Sequence, residues 1–234
     1  MDWDTDFFGK KIARLLPSML GRASMTRAIA WCEKEGVACL FWRAEGSHHE
    51  NLTLAHQYGF TTNGTRVLYE MEVGVVSTDR KEGVAFREAT EDDLPSLLRY
   101  TALLSNESRF YRDPQFGPVL AKKTYRQWLT NMFKDPASTT KILVVTVQNE
   151  LAGFIACSAS DNASHIELIY VEKKFRGRSL GKLLLRHALM HYKKSGFARS
   201  WVVTQGSNIP AQRLYQSLGY RIKSMEIDYH KWFN

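Results

Sequence analysis

The part of the sequence whose residue types most clearly suggest chemistry is a basic loop that follows a predicted buried strand. It reads Arg176, Gly177, Arg178, Ser179, Leu180, Gly181 and Lys182, and an amphipathic helix is predicted from about residue 180 onward. Free backbone N–H groups at a helix N-terminus, with the helix dipole behind them, bind anions. The glycines let the backbone approach an anion, and the basic side chains add charge. The pattern predicts a pyrophosphate site; an ordinary strand–helix turn with surface arginines is the alternative.

Other chemistry is less well supported by residue spacing. The loop is not a P-loop, since Leu183 follows Gly181–Lys182 where Ser or Thr is required, and it is not a dinucleotide G-x-G-x-x-G motif. His187 and His191 are four residues apart, but a zinc-peptidase pattern needs a glutamate after the first histidine and a third ligand. We therefore predict no metal site. Cys157, in a predicted strand, is expected to be a small core residue and not a nucleophile.

Charge is distributed unevenly along the chain. The formal net charge is +8, and residues 165–234 alone contain 13 Lys and Arg against 4 Asp and Glu. The entire positive surplus therefore lies in the last third of the chain. Such a field favours an anionic partner, which could be nucleic acid, a membrane or a phosphorylated small molecule. A solvated basic face is the alternative.

The predicted elements around the basic loop form a mixed sheet with helices packed on it. Strands are predicted over 84–87, 141–147, 151–159, 165–171, 199–205 and 221–229, and helices from Thr90 onward, over 118–134, 180–195 and 208–218. Thr90 is a typical N-cap because three acidic residues follow it in the first turn. The basic loop thus joins a strand to a helix at the centre of an α/β unit.

A smaller α/β region precedes this unit. It contains a predicted buried strand over 37–42, helices over 21–34 and 48–58, and an alternating strand over 66–73. We divide the chain into a domain over 1–76, a polar linker over 77–83 and a domain over 84–234. Residues 55–60 before one strand resemble residues 215–220 before another. Either this pattern of helix, glycine C-cap, aromatic residue and strand occurs by chance, or the first region is a shortened copy of the second.

Composition excludes several classes of protein. The chain has 234 residues, of which 44% are hydrophobic and 24% charged, which is typical of a folded domain and not of a disordered or fibrous protein. The longest apolar run is too short to cross a membrane. The first residues are acidic, whereas a signal peptide begins with basic residues. Three cysteines without a C-x-x-C pair favour a reducing compartment, so a cytoplasmic location is expected.

The region after residue 84 resembles the GNAT superfamily of acetyl-CoA-dependent N-acetyltransferases. Residues 176–181 match its R/Q-x-x-G-x-G/A signature after a strand, with Ser179 where the first motif glycine normally stands. Asn208, Ala211, Tyr215 and then Gly219 follow in the order typical of the family. The resemblance implies acetyl-CoA as cosubstrate and no metal. It also implies an α/β fold with a mixed, mainly antiparallel sheet and helices on both faces, preceded here by a smaller, truncated domain of the same type.

The resemblance implies roles for individual residues. The residues implied in cofactor binding are Ile169, Tyr170, Val171, Arg176, Gly177, Arg178, Ser179, Leu180, Gly181, Lys182 and Asn208. Pantetheine would pair with the backbones of Ile169 and Val171. Tyr215 would be the general acid that protonates the departing thiolate, since a phenol pKa of about 10 lies near that of a thiol; an aromatic residue packed on its helix is the alternative. Glu167 is a candidate base, directly or through water, and a surface carboxylate is the alternative.

A narrower resemblance, to bacterial dTDP-fucosamine acetyltransferases, reaches the N-terminal region. It rests on the F-F-G of residues 7–9, on the S-R-F of residues 108–110 before an aromatic helix, and on residues 202–205. It implies acetylation of the 4-amino group of a dTDP-4-amino-4,6-dideoxyhexose. The residues expected to supply a guanidinium and stacking faces for this substrate are Phe7, Phe8, Arg109, Phe110 and Tyr111. Alternatively, these aromatic residues only fix a loop to its domain.

Other interpretations are also consistent with the sequence. The acceptor could be another amine, such as a peptide N-terminus, a polyamine or an aminoglycoside. The chain could also be a non-catalytic acyl-CoA-binding module, although the presence of both Asn208 and Tyr215 argues against it. We expect no nucleic acid as partner because no helix-turn-helix, zinc finger or RNA-binding signature accompanies the basic charge. No membrane partner is expected, and a homodimer is possible.

Overall fold

The computed structural model describes residues 2–74, 81–134, 140–160 and 162–233. Its strands are β1 (Ile12–Leu15), β2 (Cys39–Glu45), β3 (Thr61–Glu72), β4 (Val84–Glu88), β5 (Lys141–Val147), β6 (Glu150–Ser160), β7 (Ala163–Val171), β8 (Arg199–Gln205) and β9 (Arg221–Trp232). Its helices are α1 (Asp2–Phe8), α2 (Arg22–Lys34), α3 (His49–Gln57), α4 (Leu94–Leu104), α5 (Arg109–Arg112), α6 (Gly117–Lys134), α7 (Leu180–Lys194) and α8 (Ile209–Gln216). Most of the predicted linker, residues 77–80, lies outside the described residues.

The strands form one nine-stranded sheet in the order β1-β2-β9-β3-β8-β7-β6-β5-β4. Two neighbouring pairs, β1–β2 and β7–β8, are parallel, and the other pairs are antiparallel. The predicted mixed, mainly antiparallel sheet is therefore confirmed. The strands on either side of the predicted linker belong to the same sheet, because β9 lies between β2 and β3.

Helices cover both faces of the sheet, as predicted. Because side chains alternate along a strand, adjacent residues of β5 belong to different cores. Val145 packs in the core that contains α7 and Tyr215 of α8, whereas Val144 packs in the core that contains α4 and α6. In the N-terminal region, Trp42 packs with residues of α2 and α3, and Phe41 packs with residues of α1, α5 and α6.

The centre of the sheet is built from two copies of one strand–helix–strand unit that exchange their last strands. One copy is β2-α3-β3 and the other is β8-α8-β9. Ala44 pairs with Ile227, and Thr204 pairs with Val67, so a constant difference of 160 in residue number relates the two registers. Arg66 and Glu226, which also differ by 160, pair with each other and so lie on the approximate two-fold axis that relates the copies. The repeat seen in the sequence is thus matched by the strand register.

Backbone hydrogen bonds outside the strands follow the same relation. The Gly46 N–H donates to the Met225 carbonyl at 2.8 Å, and the Gly206 N–H donates to the Thr65 carbonyl at 2.8 Å. Each helix that precedes the unit ends in a glycine at positive φ, Gly36 after α2 and Gly196 after α7. We call residues 12–72 the N-terminal copy and residues 163–232 the C-terminal copy.

The two copies differ in the segment that joins their first strand to the following helix. Ile12 of β1 pairs with Cys39, and Ala163 of β7 pairs with Arg199. Ala163 follows Ile12 by 151 residues, whereas Arg199 follows Cys39 by 160 residues. Between these two pairs, the N-terminal copy is therefore nine residues shorter than the C-terminal copy. The nine extra residues of the C-terminal copy lie in or next to the basic loop that contains Arg176 and Gly181.

Candidate active site

The strands β7 and β8 separate part of the way along their length. Their parallel register runs from Ala163–Arg199 to Ile166–Val202 and stops there. Beyond that point β7 stays paired with β6 as far as Val171, while β8 stays paired with β3 as far as Gln205. A gap therefore opens between the two strands, and its edge is formed by the residues predicted to meet pantetheine.

The strand β7 is irregular where the gap opens. Cys157 pairs with Ile166 and Ala156 pairs with Leu168, so Glu167 has no partner across the β6–β7 ladder. Such a bulge re-aims side chains. Glu167 is exposed and its Oε1 accepts a hydrogen bond from the Ser158 hydroxyl at 2.5 Å. Ile169 faces the gap, whereas Tyr170 is buried on the other face, where its ring stacks on Tyr100 at 4.8 Å.

The basic loop leads from the gap to the N-terminus of α7. Ser179 is the residue before α7 and has φ 61°, a left-handed conformation that glycine adopts at lower cost. It occupies the position where the family signature normally has glycine, which explains the usual residue there. Gly177 also has positive φ, at 78°. The backbone N–H groups of the first turn of α7, from Leu180 onward, lack partners within the helix, so they are the donors that the predicted anion site requires.

Arg176 and Arg178 of the basic loop contact neighbouring residues of the protein. Arg176 donates from Nε to the Val171 carbonyl at 2.9 Å, and its guanidinium lies 5.5 Å from the Tyr170 ring centroid. Arg178 lies over the Phe175 ring, and its carbonyl accepts from Lys81. Arg178 and Leu180 also line a cavity of about 520 Å³ beside the loop. Both arginines are thus close to the end of β7, where phosphates of a bound cofactor are predicted.

The helix α8 brings Tyr215 to the gap. Asn208 is its N-cap, and the Asn208 side chain accepts a hydrogen bond from the Ala211 N–H at 3.3 Å. Tyr215 is 3% exposed, and its ring lies between those of Tyr69 and Tyr220, at 6.0 and 5.9 Å. Burial raises the pKa of Tyr215 above its ordinary value of 10.0. The phenol is therefore protonated at neutral pH, as a proton donor must be.

A groove of about 650 Å³ begins at the gap and crosses the sheet toward β1. Its lining includes Val202 and Val203, whose side chains point to opposite faces of β8, as expected where two strands have separated. The residues that line the end near the gap include His165, Glu167, Ile169, Trp201, Gln205, Asn208 and Tyr215. The residues that line the far end include Arg14, Arg43, Arg66, Arg109, Phe110, Glu226 and Asp228.

The structure brings together only some of the predicted acceptor-binding residues. Arg109 and Phe110 line the groove. Phe7, Phe8 and Tyr111 are not among the described residues that line it: Phe8 is buried against Phe110 at 5.3 Å, and Phe7 stacks on Trp3. Phe8 thus packs α1 against α5, whereas Tyr111 is exposed.

Sequence reasoning missed most of the far end of the groove. Arg14, Arg43 and Arg66 lie on three different strands and come together only through the strand order of the sheet. Near the gap, it also missed His165 and Trp201, whose rings meet at 5.1 Å. The alternation of charged and apolar residues in β3, in β9 and at the end of β2 was a signal of a polar face, but it did not indicate which side chains would converge.

Comparison with known proteins identifies the family. A model of the acetyltransferase (GNAT) family matches residues 102–220, which is just over half of the chain. The chain therefore belongs to this family. The matched range includes the gap, the basic loop, Asn208 and Tyr215.

Individual relatives are distant. The spore coat polysaccharide biosynthesis protein SpsD of Bacillus subtilis is 23% identical over 54% of this chain and 43% of its own length. A GCN5-related N-acetyltransferase of Sphaerobacter thermophilus superposes with a TM-score of 0.66 at 19% identity, covering 92% of this chain and 70% of the other. An N-acetyltransferase of Thermoplasma acidophilum in complex with coenzyme A superposes with a TM-score of 0.51 at 17% identity, covering 64% of this chain and 99% of the other. The chain spans about half the length of the curated relatives it matches.

Metal-binding and membrane-spanning features are both lacking in the described part of the chain. Within residues 2–74, 81–134, 140–160 and 162–233, no three His, Cys, Asp or Glu side chains are grouped so that they could bind a metal ion. Over the same ranges, none of the helices has the length and hydrophobicity needed to span a bilayer.

Proposed function

We propose that this acetyltransferase transfers the acetyl group of acetyl-CoA to the amino group of a nucleotide-linked sugar, in a ternary complex and without an acetyl-enzyme. The observation that carries the proposal is the continuity of the groove from the β7–β8 gap to the arginine-lined end. Both substrates would meet in one cavity, so the amine can attack the thioester directly. The described cysteines, Cys32, Cys39 and Cys157, are all buried and do not line the groove.

The chemistry assigns one task to each group near the gap. The neutral amine attacks the thioester carbonyl, and backbone N–H groups at the gap polarise the carbonyl oxygen. The C–S bond then breaks, and Tyr215 donates its proton to the departing sulfur. Glu167 faces the same end of the groove and accepts, directly or through water, the proton that the attacking amine loses. The Ser158 hydroxyl donates to Glu167, which fixes the position of the carboxylate.

CoA would lie along β7, with its pyrophosphate on the basic loop. The first turn of α7, with Ser179, Leu180, Gly181 and Lys182, supplies N–H groups and charge, and Arg176 and Arg178 flank it. At Gly181 a Cβ would lie in van der Waals contact with the Leu214 and Val171 side chains, at 3.4 Å or more. Asn208 would contribute mainly through its role as N-cap of α8, which sets the position of Tyr215.

The particular acceptor is proposed from two lines of support. The N-terminal motifs resemble those of dTDP-fucosamine acetyltransferases, which act on a dTDP-4-amino-4,6-dideoxyhexose, and the name of SpsD places that relative in polysaccharide biosynthesis. The groove is also large enough for more than an amine-bearing ring. A cytoplasmic location and a homodimer stay predictions.

A panel of acceptors tests the proposal. CoA-thiol release is measured with dTDP- and UDP-linked amino sugars, and in parallel with a peptide N-terminus, a polyamine and an aminoglycoside. We expect turnover with a nucleotide-linked amino sugar and at least tenfold lower kcat/KM, about 1.4 kcal/mol, with the others. Faster turnover of an acceptor that carries no nucleotide would contradict the amino-sugar assignment and leave the acetyltransferase chemistry intact.

A further inference from the structure

The far end of the groove concentrates positive charge that the fold itself does not balance. Four guanidiniums, those of Arg14, Arg43, Arg66 and Arg109, line this end together with the carboxylates of Glu226 and Asp228. Glu107 also lines the groove, but it pairs with Arg112 at 3.7 Å. Asp228 lies 3.2 Å from Arg43 and 3.5 Å from Arg109, whereas Glu226 lies 2.5 Å from Arg66 and 3.7 Å from Arg43. In the described part of the chain, no ion pair is made by Arg14. The two carboxylates are therefore shared among three of the four arginines.

The electrostatic environment of these arginines agrees with a surplus of charge. Burial, and then repulsion from Arg43 and Arg14, lower the pKa of Arg109 to about 10, although Asp228 opposes the shift. Burial and repulsion from Arg43 also lower the pKa of Arg14 and of Arg66. Asp4 is a further carboxyl within electrostatic range of Arg109 and Arg14, and its own burial raises its pKa. A bound anion would relieve the repulsion among the guanidiniums.

The exposure of the four side chains increases from the floor of the groove to its mouth. Arg109 is 11% exposed, Arg66 23% and Arg43 31%, and Arg14 is the most exposed of the four. Arg109 is held over the rings of Phe41 and Phe110 at 4.5 and 4.7 Å, which fixes its plane. The four guanidiniums are carried by β1, β2, β3 and α5, and such a set from separate elements suits an anion with several oxygens better than a planar carboxylate.

The repeat explains where this cluster lies. Arg14 pairs with Phe41 as His165 pairs with Trp201, so Arg14 occupies the position of His165 in the other copy. Arg43 pairs with Asp228 as Val203 pairs with Leu68, so Arg43 occupies the position of Val203. His165 and Val203 line the end of the groove near the gap. The N-terminal copy thus presents arginines on the face that the C-terminal copy uses for acetyl transfer.

We propose that Arg14, Arg43, Arg66 and Arg109 form an anion subsite that binds the phosphoryl groups of the acceptor. The proposal rests on the proposed function and deepens it, since it states that the acceptor bears its amine at one end and a phosphoryl or diphosphoryl group at the other. Bidentate N–H donation from arginine recognises such oxygens, and the groove joins this subsite to the gap where the amine reacts. The acceptor is then positioned by charge in one copy and acetylated in the other.

Binding of inorganic pyrophosphate in the presence of saturating CoA tests the subsite without turnover. CoA fills the basic loop, so pyrophosphate that still binds must bind elsewhere. Calorimetry should detect one site, and Arg14→Gln or Arg43→Gln should weaken it at least tenfold. The matched control is Arg27→Gln, an exposed arginine of α2 outside the groove, which should leave the affinity unchanged. Arg14→Gln removes no partner from a carboxylate and so should keep the fold.

Each outcome of this experiment decides the proposal. Absence of binding with CoA bound, or equal affinity of the Arg14→Gln and Arg27→Gln proteins, overturns it. Tighter binding of pyrophosphate than of inorganic phosphate supports a diphosphate, and equal binding supports a single phosphoryl group. Acetate that binds as tightly as pyrophosphate would overturn the preference for phosphoryl oxygens. Pyrophosphate binding with no turnover of any amino sugar would refute the proposed function while supporting the subsite, so the two failures are distinguishable.

Discussion

The two copies of the strand–helix–strand unit share a backbone and differ in chemistry. Their strand registers are related residue by residue, and both begin their second helix after a Gly–Ser pair, 46–47 and 206–207. Only the C-terminal copy has the long basic loop before its first helix. In the N-terminal copy the Glu45 N–H donates to the Ser18 carbonyl at 3.0 Å, so the end of β2 is closed by the shorter loop.

The two copies also carry different side chains at corresponding positions. Tyr215 corresponds to Ala55, and Asn208 corresponds to His48, whose side chain makes no cap hydrogen bond. The N-terminal copy therefore lacks the tyrosine and the asparagine cap to which the proposed function assigns a part in acetyl transfer. Under the proposed function, catalysis depends on a nine-residue extension and a few side chains, and not on the strand–helix–strand unit itself.

The largest expected effect comes from removing the Tyr215 hydroxyl. Tyr215→Phe keeps the ring and its packing but removes the proposed proton donor, so kcat should fall roughly 10²- to 10⁴-fold. Acetyl-CoA affinity should stay within a few-fold, because the proton is needed only as the C–S bond breaks. The measurement is single-turnover thiol release, where chemistry limits the rate.

A matched variant away from the groove serves as the control for Tyr215. Tyr229→Phe also removes the hydroxyl of a buried tyrosine, but Tyr229 packs against the N-terminal helices and does not line the groove, so kcat should be unchanged.

Because burial raises the Tyr215 pKa above 10.0, the wild-type kcat should not decline as pH rises from 7 to 10. A Tyr215→Phe protein with the wild-type kcat would mean that Tyr215 is a packed aromatic residue and not the proton donor.

The next largest effect concerns the basic loop. Arg176→Ala or Gly181→Glu should raise the Kd of acetyl-CoA at least tenfold, about 1.4 kcal/mol, because the first loses a cation and the second puts a carboxylate beside the predicted pyrophosphate. Gly21 of the N-terminal copy corresponds to Gly181, and a Cβ added to it would have no atom within 4 Å. Gly21→Glu should leave the Kd unchanged. Equal effects of the two glutamates would show that the copies do not divide these roles.

A smaller effect is expected at the axis between the copies. Arg66 and Glu226 form a partly buried ion pair at 2.5 Å. A double-mutant cycle with Arg66→Gln and Glu226→Gln should give a coupling of about 1 kcal/mol in the free energy of unfolding, since both groups are partly exposed. Urea unfolding measures it. A coupling near zero would mean that Arg43 takes over the contact with Glu226.

The smallest effect is expected at Ser179. Its left-handed φ of 61° is accessible to glycine without steric cost. Ser179→Gly should therefore be stabilising or neutral, by roughly 0 to 1 kcal/mol, because relief of strain is offset by greater freedom of the unfolded chain. The shorter loop of the N-terminal copy has no such strain before its helix, since Gly21, the N-cap of α2, has φ −87°. A destabilised Ser179→Gly protein, measured by thermal unfolding, would contradict the assignment of strain to Ser179.

The sequence was most informative where periodicity is strong. Each strand and helix predicted after residue 84 is present, because alternating strands and amphipathic helices are specified locally. The short elements β1, α1 and α5 were not predicted, since four to seven residues give too little periodicity. The basic loop could be recognised because its residues are contiguous. Arg14, Arg43, Arg66 and Arg109 could not be grouped, since their meeting depends on strand exchange between segments far apart in the chain.

The exchange of strands also has a consequence for the way this chain folds. β9, which ends at Trp232, lies between β2 and β3, and β3 lies between β9 and β8. During synthesis the first 72 residues therefore cannot complete their part of the sheet until nearly all of the sequence up to Trp232 has been made. A chain that begins near Val84 lacks β3 and leaves β8 and β9 unpaired with each other. Because such distant pairings must form before the sheet closes, folding should be slow and concerted, and neither copy should fold alone.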